Sequence, residues 1–313
     1  MTACRKATIV ALDITTTEFA VAVRDADGTE DYGAVPMRGG THWQGDAGFP
    51  AFETDEIPMM LDDLLSALKS KGWSFDRQGE AGPGYVSVAC RQHDMVVLDT
   101  AGKALLPAVS WQCNAAVEEV AQLRKKGVEA TVGTIEPRFV LPKLACVLNE
   151  DPGLRDAVGT VFMTGDWVAW QLTGQRTLST SDALSNGLLE QQSRQRADQA
   201  LAAGGLPVEW FPEVAQSGAV IGTVQAATGG FEDQWNAIRQ RLAGWEFVAG
   251  LGDNHASAVG CGMTDDYRKL VVSAGTSGTI NLSCPKSAKL PADGDSLQFE
   301  FYGDSLLLLL MLG

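Results

Sequence analysis

Asp253 stands in the segment Gly250-Leu251-Gly252-Asp253-Asn254, directly after the apolar run 245–249. A carboxylate there can accept a proton from an alcohol as that oxygen attacks a phosphoryl group. An Asp capping a following helix over 255–259 would use the same residue, and the two roles are compatible because a cap fixes the carboxylate. Gly275-Thr276-Ser277-Gly278-Thr279 follows a second apolar run, 269–273. Small residues let backbone N–H groups approach a phosphate and the hydroxyls add donors, although a plain Gly/Ser turn has the same composition. Asp13 ends a third apolar run and precedes Thr15-Thr16-Thr17. A carboxylate beside hydroxyls suits Mg²⁺ held through water, while three threonines also suit a strand.

Two other nucleotide signatures fail. No GxxxxGK[ST] is present, so a P-loop is excluded. Gly250 and Gly252 open like a dinucleotide fingerprint, but His255 occupies the third glycine position and no acidic residue follows at the required distance. A nicotinamide cofactor is not expected.

The elements that must position these loops follow from periodicity. Residues 7–12 form a continuous apolar run, expected as a strand covered on both faces. Runs at 19–23 and 33–37, with the turn signal Asp27-Gly28, complete a meander. Ile57, Leu61, Leu64, Leu65 and Leu68 recur at helical spacing, with Gly72 as a stop. Strands are predicted at 85–89 and 95–98, and helices at 114–126, 141–148 and 166–172. Three loops rich in Gly, Thr and Asp thus follow strands near residues 13–17, 250–254 and 275–279, and strand ends of an α/β sheet are where ligands collect.

The 313 residues exceed one ordinary core, so two domains are expected. Lys and Arg number 24 against 39 Asp and Glu, a formal charge of −15. Such a surface repels nucleic acid and anionic membranes, so neither is an expected partner. Six scattered cysteines without a CxxC, and three dispersed histidines, give no zinc pattern; free thiols fit a cytoplasmic protein. The terminal run Leu306 to Leu312 is far short of the about 20 residues a membrane span needs. It is read as a buried element cut midway, which places the end of the chain inside its second domain.

Taken together, these segments resemble the FGGY carbohydrate kinases, especially the xylulokinase-like members. That family has a D-x-G-T-[ST] loop, here Asp13-Ile14-Thr15-Thr16-Thr17; a G-x-G-D-N segment, here Gly250 to Asn254; and an S-x-G-T-S-G loop, here Ser273 to Gly278. Its sugar-side S-G-Q-M-H-G-x-V-x-x-D stretch stands as Ala89-Cys90-Arg91-Gln92-His93-Asp94 through Asp99, and its W-Q-D-x-R segment as Trp111-Gln112-Cys113-Asn114-Ala115. Lys143-Leu144 with Asn149-Glu150, Gly165-Asp166-Trp167 through Gly174, and Ser181-Asp182-Ala183 resemble further family stretches.

The resemblance implies an α/β, actin-like (ribonuclease H-like) ATPase fold, with a complete first domain, 1–246, that binds sugar. The start of a nucleotide-binding second domain would be 247–313. It implies ATP-dependent phosphorylation of a ketose or polyol, with Asp253 as base and Asp13 orienting Mg²⁺ through water. Thr16, Thr17, Gly275, Thr276 and Ser277 would hold phosphates, and Gln92, His93, Trp111, Asp253 and Asn254 would meet the sugar. A homodimer is left open. Thr15 in place of the loop glycine implies strain if that position needs a positive φ. Arg91, Gln92, Cys113 and Ala115 imply an altered sugar pocket. A non-catalytic sugar sensor of the same fold and an actin-like ATPase remain alternatives, the latter disfavoured by the sugar-side segment around His93.

Overall fold

The computed structural model describes residues 5–38, 40–43, 48–77, 79–80, 82–226, 233–263, 267, 269–274, 278–285, 296–300 and 305–312. The chain opens with β1 (Arg5–Ile14), β2 (Glu18–Asp25) and β3 (Glu30–Pro36), the expected meander. The hairpin β4 (Thr41–Trp43) and β5 (Phe49–Phe52) follows, then α1 (Glu56–Ser70) and β6 (Trp73–Ser74). Next come β7 (Tyr85–Cys90), β8 (Met95–Asp99), β9 (Ala108–Val109), α2 (Val117–Lys125), α3 (Glu129–Val132) and α4 (Val140–Glu150). They lead to β10 (Val158–Met163), α5 (Thr164–Thr173), β11 (Thr177–Ser179), α6 (Thr180–Ser185) and α7 (Asp198–Ala203). The last part of this region holds β12 (Glu213–Ala215), β13 (Val220–Thr223), α8 (Asp233–Arg241), β14 (Glu246–Gly252) and α9 (Asp253–Gly260). Four strands complete the described chain: β15 (Leu270–Ala274), β16 (Gly278–Pro285), β17 (Ser296–Glu300) and β18 (Ser305–Leu312).

The principal sheet has the order β13-β14-β7-β1-β2-β3, with β6 added beside β1. β1, β7 and β14 run parallel, while β2 and β3 continue antiparallel from β1. Because the three central strands are parallel, their C-terminal ends open on one edge, and Asp13, the turn after Cys90, and Asp253 all leave the sheet there.

One face of this sheet is the core. Val10, Leu12 and Ile14 of β1 are buried with Phe19 and Val21 of β2, Val86 and Val88 of β7 and Phe247 of β14. α1 covers β2 and β3, and α5 covers β7 and β14. The heptad-like residues of α1 that periodicity singled out (Ile57, Leu61, Leu64, Leu65 and Leu68) are all buried. Their burial is worth on the order of 10 kcal/mol before chain entropy. Gly72 follows with φ +97, a conformation that ends the helix at little cost only for glycine. The opposite face differs from the expectation for 7–12. Ile9 is 41% and Tyr85 40% exposed, so among the described residues β1 alternates between a buried and an open face.

A second antiparallel sheet, β10-β8-β9-β5-β4, stacks its β8 and β10 residues into the same core. The third sheet is β15-β16-β18-β17. The leucine run expected as a buried element is β18, hydrogen-bonded to β16 on one side and β17 on the other. Leu307 is buried with Phe139, Ala258 and Met263, so this sheet packs on α9 and on the residue that precedes α4. Among the described residues no helix is long and apolar enough to cross a membrane.

Candidate functional site

Backbone register brings the sequence-predicted residues together. Ile14 and Gly252 both pair with Cys90, and Asp13 and Leu251 both flank Ala89. The 250–254 segment is not a loop. β14 continues through Gly252 and passes directly into α9, whose first residue is Asp253. The glycines explain why: a Cβ on Gly250 would lie 1.9 Å from the Val88 carbonyl oxygen, and one on Gly252 would lie 2.0 Å from the Gln92 side chain. Both are demanded by close approach of β14 to β7 and its following turn. The register shift between Val248 and Leu251 marks a bulge, a device that re-aims the residues beyond it.

The turn between β1 and β2 is built by the threonine that replaces the family glycine. Thr15 Oγ1 donates to the Glu18 carbonyl at 2.9 Å and accepts from the N–H of Glu18 at 3.0 Å and of Thr17 at 3.4 Å. Thr15 is not among the positive-φ residues, which apart from glycine are Arg194 and Tyr267 in the described chain. The condition for strain at Thr15, a positive φ, is therefore not met, and its hydroxyl hydrogen-bonds across the turn. Thr16 Oγ1 accepts a hydrogen bond from Trp111 Nε1 at 3.0 Å. Asp13 lies on the open side of β1, and desolvation by the surrounding chain, then the neighbouring Glu18, pushes its carboxyl up.

The turn after β7 carries the residues that the sequence predicted to meet a sugar. His93 is 7% exposed and stacks on Phe139 with ring centroids 4.8 Å apart. Its Nδ1 lies 3.1 Å from Asn186 Oδ1, which also accepts the Val140 N–H at 3.0 Å. An oxygen that accepts from a backbone donor fixes the amide orientation, so His93 donates from Nδ1 and keeps Nε2 as an acceptor. Burial holds its pKa well below the ordinary value, so the ring is neutral. Lys143 is fully buried and donates from Nζ to the carbonyls of His93 and, at 3.2 Å, Ser110. Burial lowers its pKa to about 8, against the attraction of Asp94. Gln92 points to α9: its Nε2 lies 3.0 Å from His255 Nδ1, which makes His255 a buried support of the site rather than a plain helix residue. Burial lowers the His255 pKa to about 3. Trp111 is half-buried and bridges to the first loop through Thr16.

Asp253 does not cap α9; Gly252 takes the cap position and Asp253 opens the helix, accepting the Asn254 N–H at 2.8 Å. Burial raises its pKa to about 6, opposed by that hydrogen bond; the charges of Asp13 and Asp94 add to the rise, and Arg91 works against it. A carboxyl of that pKa is ionised at neutral pH and close enough to 7 to act as a base. Asn254 is half-buried beside it. Behind this group sit Asp166 and Asp182, both fully desolvated. Burial raises each, and Asp182 raises Asp166 further. Asp166 accepts the Ser179 N–H at 2.9 Å, which fixes the start of α6.

Gly275, Thr276 and Ser277 lie outside the described residues. Asp94 and Lys143 stand in stretches that resemble the family's without having been assigned to the site, and Asn186 was not singled out. Asp94 had a local signal, since Arg91 and Asp94 are three residues apart and of opposite charge; Asn186 had none, being 93 residues from its histidine partner.

Comparisons with known proteins establish the family and the fold. The xylulose kinase of Streptomyces coelicolor is 29% identical over 231 residues, covering 71% of this chain and 45% of that protein. The xylulose kinase of Klebsiella pneumoniae is 29% identical over 212 residues, covering 65% of this chain and 42% of that protein. The chain thus spans less than half the length of these curated relatives. The crystal structure of xylulose kinase from Rhodospirillum rubrum superposes with a TM-score of 0.82 at 21% identity, covering 97% of this chain and 60% of that one. This likeness shows the fold, the actin-like ATPase fold of sugar kinases. The N-terminal domain model of the FGGY carbohydrate kinases matches residues 8–260, from β1 through the helix that Asp253 opens. With that match running through most of its length, the chain belongs to the FGGY family of carbohydrate kinases.

Proposed function

We propose that this protein carries out ATP-dependent phosphorylation of a ketose or related polyol hydroxyl, as its xylulose kinase relatives are named for doing. The observation that supports the reading is the common edge of β1, β7 and β14, which Asp13, the turn that carries His93, and Asp253 follow or end. Asp253 takes the proton of the attacking hydroxyl as the oxygen–phosphorus bond forms, and its elevated pKa matches that task. His93, neutral and locked by Asn186, offers Nε2 to a sugar hydroxyl. Asn254, Trp111 and Gln92 are proposed as further sugar contacts, Gln92 with its Nε2 held at His255.

The donor set fits Mg²⁺. Among the described residues no group of three or more His, Cys, Asp or Glu could hold a metal, and Mg²⁺ needs no such cage when one carboxylate, waters and substrate phosphates complete its shell. Asp13 would supply that carboxylate, and the Thr16 and Thr17 hydroxyls would meet phosphate oxygens, the Thr17 amide being bonded to Thr15 Oγ1. When bound, the metal supplies positive charge against the phosphates. Gly275, Thr276 and Ser277 are proposed as the second phosphate loop on motif alone.

The two-domain division is proposed to fall beyond Gly260 rather than between 246 and 247, because β14 is hydrogen-bonded into the principal sheet and the third sheet begins at Leu270. Closure of such units would exclude water from the transfer. The test is an ADP-release assay over a panel of ketoses and polyols beside calorimetry with the same sugars. Release dependent on one sugar supports the kinase. Sugar binding without nucleotide binding or release favours the sensor.

A further inference from the structure

Two charged residues are buried together on the turn that carries His93. The side chains of Arg91 and Asp94 are 6% and 0% exposed, with Nε 2.6 Å from Oδ2. The Arg91 guanidinium also lies 4.4 Å from the ring centroid of Phe52 in β5. A buried carboxylate is tolerated only when its oxygens are partnered. Asp94 Oδ1 accepts the backbone N–H of Trp111 at 2.7 Å, while Oδ2 has the Arg91 charge beside it without a hydrogen bond. The same tryptophan donates from its indole Nε1 to Thr16 Oγ1 at 3.0 Å.

The result is one continuous chain of contacts. It runs from Phe52 in the second sheet through Arg91, Asp94 and Trp111 to the turn between β1 and β2. The S-G-Q-M-H-G pattern has Gln and Gly where this chain has Arg91 and Asp94. Neither charge is therefore demanded by the pattern, and either alone would be a costly buried ion. Their joint presence, with Asp94 Oδ1 hydrogen-bonded to Trp111 and Oδ2 ion-paired with Arg91, ties the wall beside His93 to the loop of Thr15, Thr16 and Thr17.

We propose that Arg91 and Asp94 are positioning residues that fix Trp111 and, through its indole, hold the first phosphate loop in place. The proposal rests on the kinase reading for what the loop binds, but the clamp can be measured without any ligand. Trp111→Phe separates positioning from a purely structural role. It keeps the residue 111 N–H that Asp94 accepts and removes the indole donor to Thr16 together with part of the ring.

The experiment is amide hydrogen exchange on the 313-residue chain, read at Thr15 and Glu18, whose N–H groups are bonded within the turn at 3.0 Å each. In Trp111→Phe, exchange at these two amides is expected to rise about fivefold, the effect of one lost hydrogen bond, with β1 core amides unchanged. Asp94→Asn and Arg91→Gln should reproduce the loop effect. The double variant R91Q/D94N should be destabilised by less than the two single changes together and still show the fast loop. Mg-ADP affinity, measured by calorimetry, should fall in Trp111→Phe. Fast loop exchange in a chain that binds neither Mg-ADP nor ketose supports the clamp and defeats the kinase reading. Unchanged exchange at Thr15 and Glu18 in Trp111→Phe overturns the clamp, whatever the ligands do.

Discussion

Replacing Asp253 by Asn separates the cost of burying a carboxylate from the chemistry that carboxylate performs. Its pKa stands at about 6 against an ordinary 3.8, chiefly through burial. The unfolded chain releases this proton near 3.8, whereas the folded protein keeps it up to about pH 6. Between those values folding takes up a proton, so stability falls as pH rises through the window, and the full cost is present above it. The difference amounts to about 3 kcal/mol at pH 7 to 8. An asparagine keeps an oxygen for the Asn254 N–H and offers its amide protons to the neighbouring carboxylates, so most of that cost is removed. Asp253→Asn should therefore be more stable than the parent by about 2 kcal/mol at pH 8, or roughly 4 °C in Tm. At pH 4 the two should converge. Thermal unfolding of both chains from pH 4 to 8 measures this directly. A variant equal to or less stable than the parent at pH 8 would refute the idea that Asp253 is held ionised against its surroundings.

Other perturbations have equally definite outcomes. Gly250→Ala places a Cβ 1.9 Å from the Val88 carbonyl oxygen, so the β7–β14 ladder must open. A loss of more than about 3 kcal/mol in urea unfolding is expected, and an unchanged midpoint would contradict the close approach. Lys143→Met strips the His93 and Ser110 carbonyls of their donor. It should cost about 2–4 kcal/mol and weaken ketose binding in calorimetry; a fully stable variant with parental affinity would show that Lys143 does not hold the His93 turn. Asp166 and Asp182 are raised by burial, and Asp182 raises Asp166 further, so the folded state binds protons more tightly than the unfolded chain there. Stability should therefore increase as pH is lowered toward 6, even in the Asp253→Asn background, and Asp182→Asn should flatten that slope. A Tm independent of pH in that background would speak against a buried carboxyl pair.

The elements nearest the site were legible because their signals are local. An apolar run ending in Asp13, or in Gly252-Asp253, can be read without knowing what lies beside it, and the five apolar residues of α1 fix its buried face by spacing alone. What escaped was everything that depends on a partner far along the chain. The 250–254 segment read as a loop because glycines commonly mark one, but here they answer to Val88 and Gln92, more than 150 residues earlier. Thr15 looked strained because the family has glycine there, yet its hydroxyl supplies the turn's hydrogen bonds. That Gln92 is held at His255, 163 residues on, is shown only by the fold. The one-sided cover of β1 was equally invisible, since alanine and isoleucine suit either face.

The most direct test of the account is single-turnover transfer of the γ-phosphoryl group from MgATP to a bound ketose, measured beside sugar affinity in the parent chain and in Asp253→Asn. Removal of a general base should slow transfer by about 10²–10⁴-fold while sugar affinity stays within about threefold. Transfer at the parental rate in Asp253→Asn would contradict the assignment of the base. A parent chain that binds ketose and MgATP yet transfers nothing would contradict the kinase reading itself.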